Sequence, residues 1–497
     1  MRGWSAAAIA FAGLAVGAST AQAFDPAVEA ENYSKGLERQ AIYTTPEYQL
    51  KLRLTSHENG LHALSMQAAD PEREFVSDLC WNGNDGCAGD VRLYDWQNNG
   101  YGIVQPVLFT ARNGATISGH VWATKSGPAH RPGIVITNGS VQADEQLYWF
   151  AAQALAKAGY VVLTWDPQGQ GQSDTFGEDP DSQEGFPAQS DGRPFFDGTE
   201  DALNFFFSTP GKPYEPVTSC ESGTSHAAKQ DRRVKAPLDA AYNPFWKLLD
   251  PSRVGIAGHS FGAAGVSYIG QWDQRVKAIV AWDNLAAADP NGGGRASESP
   301  CPADPSQRTA APITKPALGM SADYFIPPVP NTSDPDPLAK STESLEYSKA
   351  GVDTGEIIIR GGTHYDFSFI PNNGFTASLR GADEIAWYTT AWFDRYVKGD
   401  ASATRRLLTH RWRHDAQEAA VDPHGDGNMF SFYYRSRLDI GLPGGGRFTC
   451  EDLRKGCPGL ASNDGVPGDY SYVNVDMSPD GPGRPGTPQG TGIYGDG

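Results

Sequence analysis

The chain has 497 residues, 57 glycines, 36 prolines, 39% hydrophobic residues and a formal net charge of −19. That length fits one large enzyme domain with extensions, or two to three smaller domains. The acidic balance excludes nucleic acid and anionic membrane as partners, because both need a basic surface.

Residues 1–23 read as a signal peptide. Arg2 gives a basic start, Ala6 to Val16 is apolar but short for a bilayer span, and Ala21-Gln22-Ala23 has the small-x-small cleavage pattern before Phe24. The expectation is export to an extracellular or periplasmic compartment with no membrane span. Residues 24–104 form an N-terminal extension without clear periodicity, in which Asn82 to Gly86 reads as a turn rather than a calcium loop.

From Gln105 the pattern sharpens into a domain spanning 105–410. Gln105 to Thr110 and Thr116 to Ala123 read as a hairpin turned at Asn113-Gly114. Gly133 to Thr137 and Tyr160 to Trp165 are short buried strands, with an amphipathic helix from Leu147 to Ala158 between them. Asp201 to Phe207 looks helical. Strands follow at 253–257, 276–282, 316–319 and 356–360, and a late helix carries Ile385, Tyr388, Trp392 and Tyr396. A hairpin followed by strand–helix alternation predicts an α/β fold, a mostly parallel sheet covered on both faces. Residues 174–250 interrupt the alternation as a cap-like acidic insertion rich in Pro, Gly and Phe. Its Phe195, Phe196, Phe205, Phe206 and Phe207 are expected mainly to pack the insertion onto the core, with an aromatic acyl pocket as the alternative. Residues 411–497 read as a C-terminal extension with a disordered Pro/Gly-rich tail.

Six cysteines in an exported chain predict disulfides, with fifteen pairings possible. Spacing favours Cys80 with Cys87 and Cys450 with Cys457, which leaves Cys220 with Cys301. No pair has zinc-ligand spacing with histidine, and no metal or cofactor is expected.

Gly258-His259-Ser260-Phe261-Gly262 is a G-x-S-x-G sequence. Chance supplies roughly 0.4 such matches in a chain this rich in glycine, so its flanks carry the weight. It follows an apolar strand and precedes the small residues Ala263-Ala264-Gly265, the setting of a nucleophile on a tight strand-to-helix turn. Ser260 is the expected nucleophile, and the Phe261 N–H at the helix start is an expected oxyanion donor. His364 follows the strand 356–360 and is the expected base. The acid is Asp323 by its place after the strand that opens at Pro316, or alternatively Asp283, which ends the strand before that.

These segments resemble the α/β-hydrolase superfamily over about residues 105–400. Asp166 to Ser173 looks like that family's D-x-R-G-x-G-x-S loop, with Gln168 in place of Arg. Trp282-Asp283, Met320 to Asp323 and Gly361 to Tyr365 resemble pieces of bacterial cutinases and polyester hydrolases, which supports Asp323. Asp273 to Asp283, Ala322 to Phe325 and Ile359 to Gly361 are similar to platelet-activating-factor acetylhydrolases, whose acid follows the earlier strand, which supports Asp283. The resemblance implies a second oxyanion donor from Asn138-Gly139-Ser140, namely the Ser140 N–H. It departs from cutinases in lacking an aromatic there.

The expected function is a secreted serine hydrolase cleaving small-molecule or polymeric carboxylic esters through an acyl-serine. The alternatives are an aminopeptidase or amidase on the same fold, with a carboxylate cluster of the insertion holding the substrate amine, and a cutinase-like polyester hydrolase. A non-enzymatic matrix protein fits the intact Ser and His motifs poorly. Nothing in the sequence sets the oligomeric state.

Overall fold

The computed structural model describes residues 24–38, 46–74, 102–140, 144–186, 193–288, 310–325, 328–368, 379–414 and 427–461. Residues 1–23, expected as a signal peptide, Cys80, Cys87, Cys301, residues 82–86, expected as a turn, and the segment beyond 461 lie outside them.

Two helices form within the N-terminal extension, α1 (Pro26–Glu38) and α2 (Pro46–Ala69). Each begins at proline, whose fixed φ suits a first helical position and whose missing N–H would be unbonded there anyway. The following turn is tied down by ions. Arg233 spans Asp70 at 2.6 Å and Asp239 at 2.7 Å, and Arg73 meets Asp174 at 3.4 Å.

The hairpin forms as β1 (Gly102–Thr110) and β2 (Thr116–Thr124), turned at Gly114 with φ of 85°. The chain then alternates through β3 (Arg131–Thr137), α3 (Trp149–Lys157), β4 (Val161–Trp165), α4 (Arg193–Phe206), α5 (Ala227–Lys235), β5 (Leu249–His259), α6 (Phe261–Trp272), β6 (Val276–Trp282), β7 (Ala317–Ala322), α7 (Thr342–Lys349), β8 (Thr354–Ile359), α8 (Leu379–Tyr396) and the short α9 (Thr404–Leu407). β9 (Arg437–Gly441) and β10 (Arg447–Cys450) close the described order.

All ten strands share one sheet in the order β1-β2-β4-β3-β5-β6-β7-β8-β9-β10. The six from β4 to β8 in that order run parallel, and the edge strands on either side are antiparallel. Buried on both faces, the parallel strands read as unbroken apolar runs. One face packs α3 and α8 through Phe150, Leu155, Ile385, Trp392 and Phe393. The other packs α4 and α6 through Phe195, Leu203, Phe206, Val266 and Ile269.

Several features differ from the sequence reading. α4 starts at Arg193 rather than Asp201. Pro194 and Gly198 hide its first turns, yet Gly198 is required because a Cβ there would meet the Trp165 ring at 2.7 Å. Residues 437–450, read as part of a separate extension, extend the sheet. Their strands are short and charged, so their alternation is faint, and the Leu442 N–H to Gly446 carbonyl bond (2.9 Å) closes the hairpin. The short helix α7 was not anticipated.

Cys450 and Cys457 are disulfide-bonded with Cα atoms 5.7 Å apart. Cys220 is also disulfide-bonded, to a cysteine outside the described residues. Among the described residues no helix is long and apolar enough to cross a membrane.

Candidate active site

The chain leaves β3 toward β4 on one side, while β5 pairs with β3 on the other. The loops after β3 and β5 therefore part at their carboxyl ends, and such a switch point is where open α/β sheets bind ligands. Asn138-Gly139-Ser140 leaves β3 at this place, and Ser260 leaves β5.

Ser260 has φ of 57° and ψ of −119°, a left-handed strained conformation for a residue with a Cβ. Its N–H donates to the Trp282 carbonyl at 2.9 Å, which fastens the turn to β6. The flanking glycines are required by contact. A Cβ at Gly258 would lie 2.3 Å from the Gly262 carbonyl oxygen, and one at Gly262 would lie 2.3 Å from that of Asn138. Ser260 is half-buried, and Phe261 opens α6, so its N–H sits at the positive end of that helix.

The loop after β3 is held from two sides. Gly139 donates its N–H to the Tyr148 hydroxyl (2.8 Å), and its carbonyl accepts from Gln170 Nε2 (2.9 Å). With both polar groups of Gly139 engaged, the next peptide, which carries the Ser140 N–H, is fixed beside Ser260. A Cβ on Gly139 would meet Ser260 Cβ at 3.1 Å. Asp166 braces the loop by accepting from Asn138 Nδ2 (3.0 Å), the Glu145 N–H (2.7 Å) and the Gln172 N–H (3.0 Å). Gln168 donates to the Thr175 and Gln183 carbonyls.

His364 follows β8 in a single 3-10 turn (His364–Phe367) capped by Thr363 and Asp366. It reaches back over β7, and its Nδ1 bonds the carboxylate of Asp283. Burial raises the Asp283 carboxyl, but His364 beside it outweighs burial and leaves it below the ordinary 3.8. Asp283 is therefore ionised and accepts the hydrogen that His364 Nδ1 carries. No hydrogen bond joins Ser260 Oγ to His364 among the described residues; such contacts often tighten only around bound substrate.

Of the two aspartates expected from the sequence, the structure pairs His364 with Asp283, the alternative, and not with Asp323, the preferred one. The Asp323 carboxylate accepts from the Gly361 N–H (2.7 Å), Asn32 Nδ2 of α1 (3.1 Å) and Ser431 Oγ, and makes no bond to His364. Asp323 leaves β7 with its N–H on the Ile359 carbonyl (3.3 Å), so it is fastened to the neighbouring β8. Asp283 leaves β6 with φ of 47°, a turn that aims its carboxylate across to His364.

Two groups at this site escaped the sequence reading. His259 Nε2 lies 3.0 Å from the His364 carbonyl, and its ring centroid is 4.4 Å from that of His364. Glu356 on β8 is fully buried, with Oε1 accepting from Ser321 Oγ (2.6 Å) and Oε2 unbonded. Burial, with Asp283 nearby, pushes its carboxyl well above the ordinary 4.5 despite the Ser321 bond. The folded protein thus holds a proton that the unfolded chain releases above pH 4.5. The stability linked to it is complete below pH 4.5 and is lost as pH rises through the raised value. Glu356→Gln should match wild type in thermal melts at pH 4.5 and exceed it at pH 8, by roughly 1 °C in Tm per kcal/mol relieved.

The insertion's aromatics pack inward. Phe195, Phe205 and Phe206 are fully buried, and Phe205 stacks on Phe109 at 4.6 Å. Phe186 and Phe195 meet the Phe261 ring at 5.4 and 5.3 Å, which stiffens the turn beside Ser260. Four of the insertion's carboxylates face its own protein's cations and hydroxyls. Arg112 gathers Asp201 (2.8 Å), Glu200 (2.8 Å) and Asp197 (3.6 Å), and Asp181 accepts from Ser219, Ser222 and His226.

In comparisons with known proteins, the chain matches no family model and no curated protein.

Proposed function

We propose that this chain is a serine hydrolase of carboxylic esters, built on an α/β-hydrolase fold and acting through Ser260, His364 and Asp283. The observation that carries the reading is the Asp283–His364 pair standing at the carboxyl edge of the sheet, where the strained Ser260 also emerges. In this mechanism His364 Nε2 takes the Ser260 Oγ proton as Oγ bonds the ester carbonyl carbon. The Phe261 and Ser140 N–H groups face the oxygen that becomes negative. His364 returns the proton to the departing alkoxide. Water, deprotonated by the same nitrogen, then releases the acid from the acyl-serine. Asp283 holds the productive tautomer and offsets the imidazolium charge.

Amide-cleaving aminopeptidases need unpaired carboxylates for the substrate's amine. The insertion's cluster of Asp197, Glu200 and Asp201 is already engaged by Arg112, and Asp181 by Ser219, Ser222 and His226, so these buried acids are not free to hold an amine, which favours esters. The missing aromatic beside Ser140 favours small esters over polyesters. The Cys450–Cys457 disulfide supports an oxidising compartment as the place of action.

A fluorophosphonate probe should label Ser260 of the full chain. Hydrolysis of p-nitrophenyl butyrate should exceed that of aminoacyl p-nitroanilides by at least about 10²-fold in kcat/KM. An unlabelled Ser260 in folded protein would refute the proposal, and a preference for the anilides would refute its ester assignment.

A further inference from the structure

We propose that Tyr148 and His259 are positioning residues that join the loop bearing the Ser140 oxyanion donor to the loop bearing the base, so that the two halves of the site hold one geometry. This rests on the ester-hydrolase reading above.

The connection is a series of buried hydrogen bonds whose directions follow from the chemistry of each atom. A carbonyl oxygen only accepts, so His259 Nε2 carries the hydrogen that bonds the His364 carbonyl at 3.0 Å. Burial first, and the neighbouring His364 second, hold the His259 imidazole well below its ordinary 6.5, so it is neutral and its Nδ1 is an acceptor. The Tyr148 hydroxyl, 2.8 Å away, therefore donates to Nδ1. Burial raises the Tyr148 phenol above its ordinary 10.0, which keeps that proton in place. The phenol oxygen in turn accepts the Gly139 N–H at 2.8 Å. The line runs from the loop after β3, through the residue preceding Ser260, to the backbone of the base itself. Tyr148 is fully buried and His259 is 3% exposed, so water does not compete for these bonds.

Each member has a task that packing does not require. Tyr148 sets the His259 tautomer. That tautomer alone puts a donor on the His364 carbonyl. The tilted contact of the two rings at 4.4 Å also means that a charged His259 would oppose the imidazolium formed on His364. A neutral His259 of fixed tautomer leaves the charge to the base.

The test uses the full chain with four proteins: wild type, Tyr148→Phe, His259→Leu and His259→Gln. Kinetics on p-nitrophenyl butyrate, fluorophosphonate labelling rates and Tm are measured for each. Tyr148→Phe and His259→Leu should lower kcat and the labelling rate by on the order of 10–10²-fold with KM within about twofold, the cost of a misplaced reacting group. His259→Gln, whose amide N–H can still reach the His364 carbonyl, should recover most of the loss. Long-range 1H–15N NMR of wild type at pH 7 should show His259 as the neutral tautomer protonated at Nε2, a readout independent of how the variants fold. The proposal is overturned by a His259 protonated at Nδ1, or by folded Tyr148→Phe and His259→Leu variants with wild-type kcat. It is also overturned if His259→Gln is as slow as His259→Leu. A wild type that neither labels nor hydrolyses the ester removes the hydrolase reading itself, whereas an active wild type with unaffected variants removes only this inference.

Discussion

Ser260→Ala should lower kcat on p-nitrophenyl butyrate by on the order of 10⁴-fold or more, with Tm close to wild type. The two readouts separate because the hydroxyl has no structural work here: Ser260 Oγ makes no hydrogen bond among the described residues, while the backbone N–H that fastens the turn to Trp282 survives the substitution. His364→Ala should cost a similar factor in kcat but lower Tm as well, since it leaves the buried Asp283 carboxylate without its principal partner. The double variant should be no slower than either single one, because serine and base act as a unit. Stopped assays with active-site titration check all three. Full activity in Ser260→Ala would end the hydrolase reading, and full activity in His364→Ala would leave the serine without its base.

The parts of this site legible in the sequence are those whose cause is local. The turn at 258–262 needs glycines at fixed offsets, because a Cβ at Gly258 would strike the Gly262 carbonyl and one at Gly262 the carbonyls of Thr137 and Asn138, and that requirement is written in consecutive residues. The parallel strands are buried on both faces, so their runs of Val and Ile stand out. His364 stood out by its place after an apolar run, and the structure brings it to Asp283. What the sequence hid is settled by contacts between distant segments. Asp283 and Asp323 both end a strand on the same sheet edge, and nothing local separates them. The separation comes from Asn32 and Ser431, remote in the chain, which occupy Asp323 together with the Gly361 N–H. β9 and β10 escaped notice because five- and four-residue strands bearing Arg and Asp show little alternation, and their place beside β8 is fixed by pairing. Nothing local marks His259 beyond its place in the turn, and its contacts are made with Tyr148 and the His364 backbone. The Pro443-Gly444 step was the one local signal that could have marked the last hairpin.

Asp283→Asn and Asp323→Asn should part company by about three orders of magnitude in kcat. At position 283 the amide can donate to His364 Nδ1, which drives the imidazole to the tautomer with hydrogen on Nε2, the atom that must accept the serine proton. The backbone turn at Asp283 is unchanged by the swap, so kcat should fall by on the order of 10³–10⁴-fold while KM moves little. At position 323 the same exchange touches a carboxylate that gathers three donors from α1, the loop after β8 and the segment before β9. Hydrogen bonds to a charged acceptor contribute about 1.5–3 kcal/mol each, so the loss should appear in Tm and in the anchoring of α1, with kcat within a few-fold of wild type. Limited proteolysis should release the N-terminal segment sooner in Asp323→Asn than in Asp283→Asn. The reverse outcome, a dead Asp323→Asn beside an active Asp283→Asn, would mean that the base turns to a different carboxylate during catalysis and that the pairing described here is not the working one. The distinction is sharp because the two residues divide one chemistry: each is a buried carboxylate at the end of adjacent strands, and only the side chain that meets it decides whether it orients a proton or holds a helix.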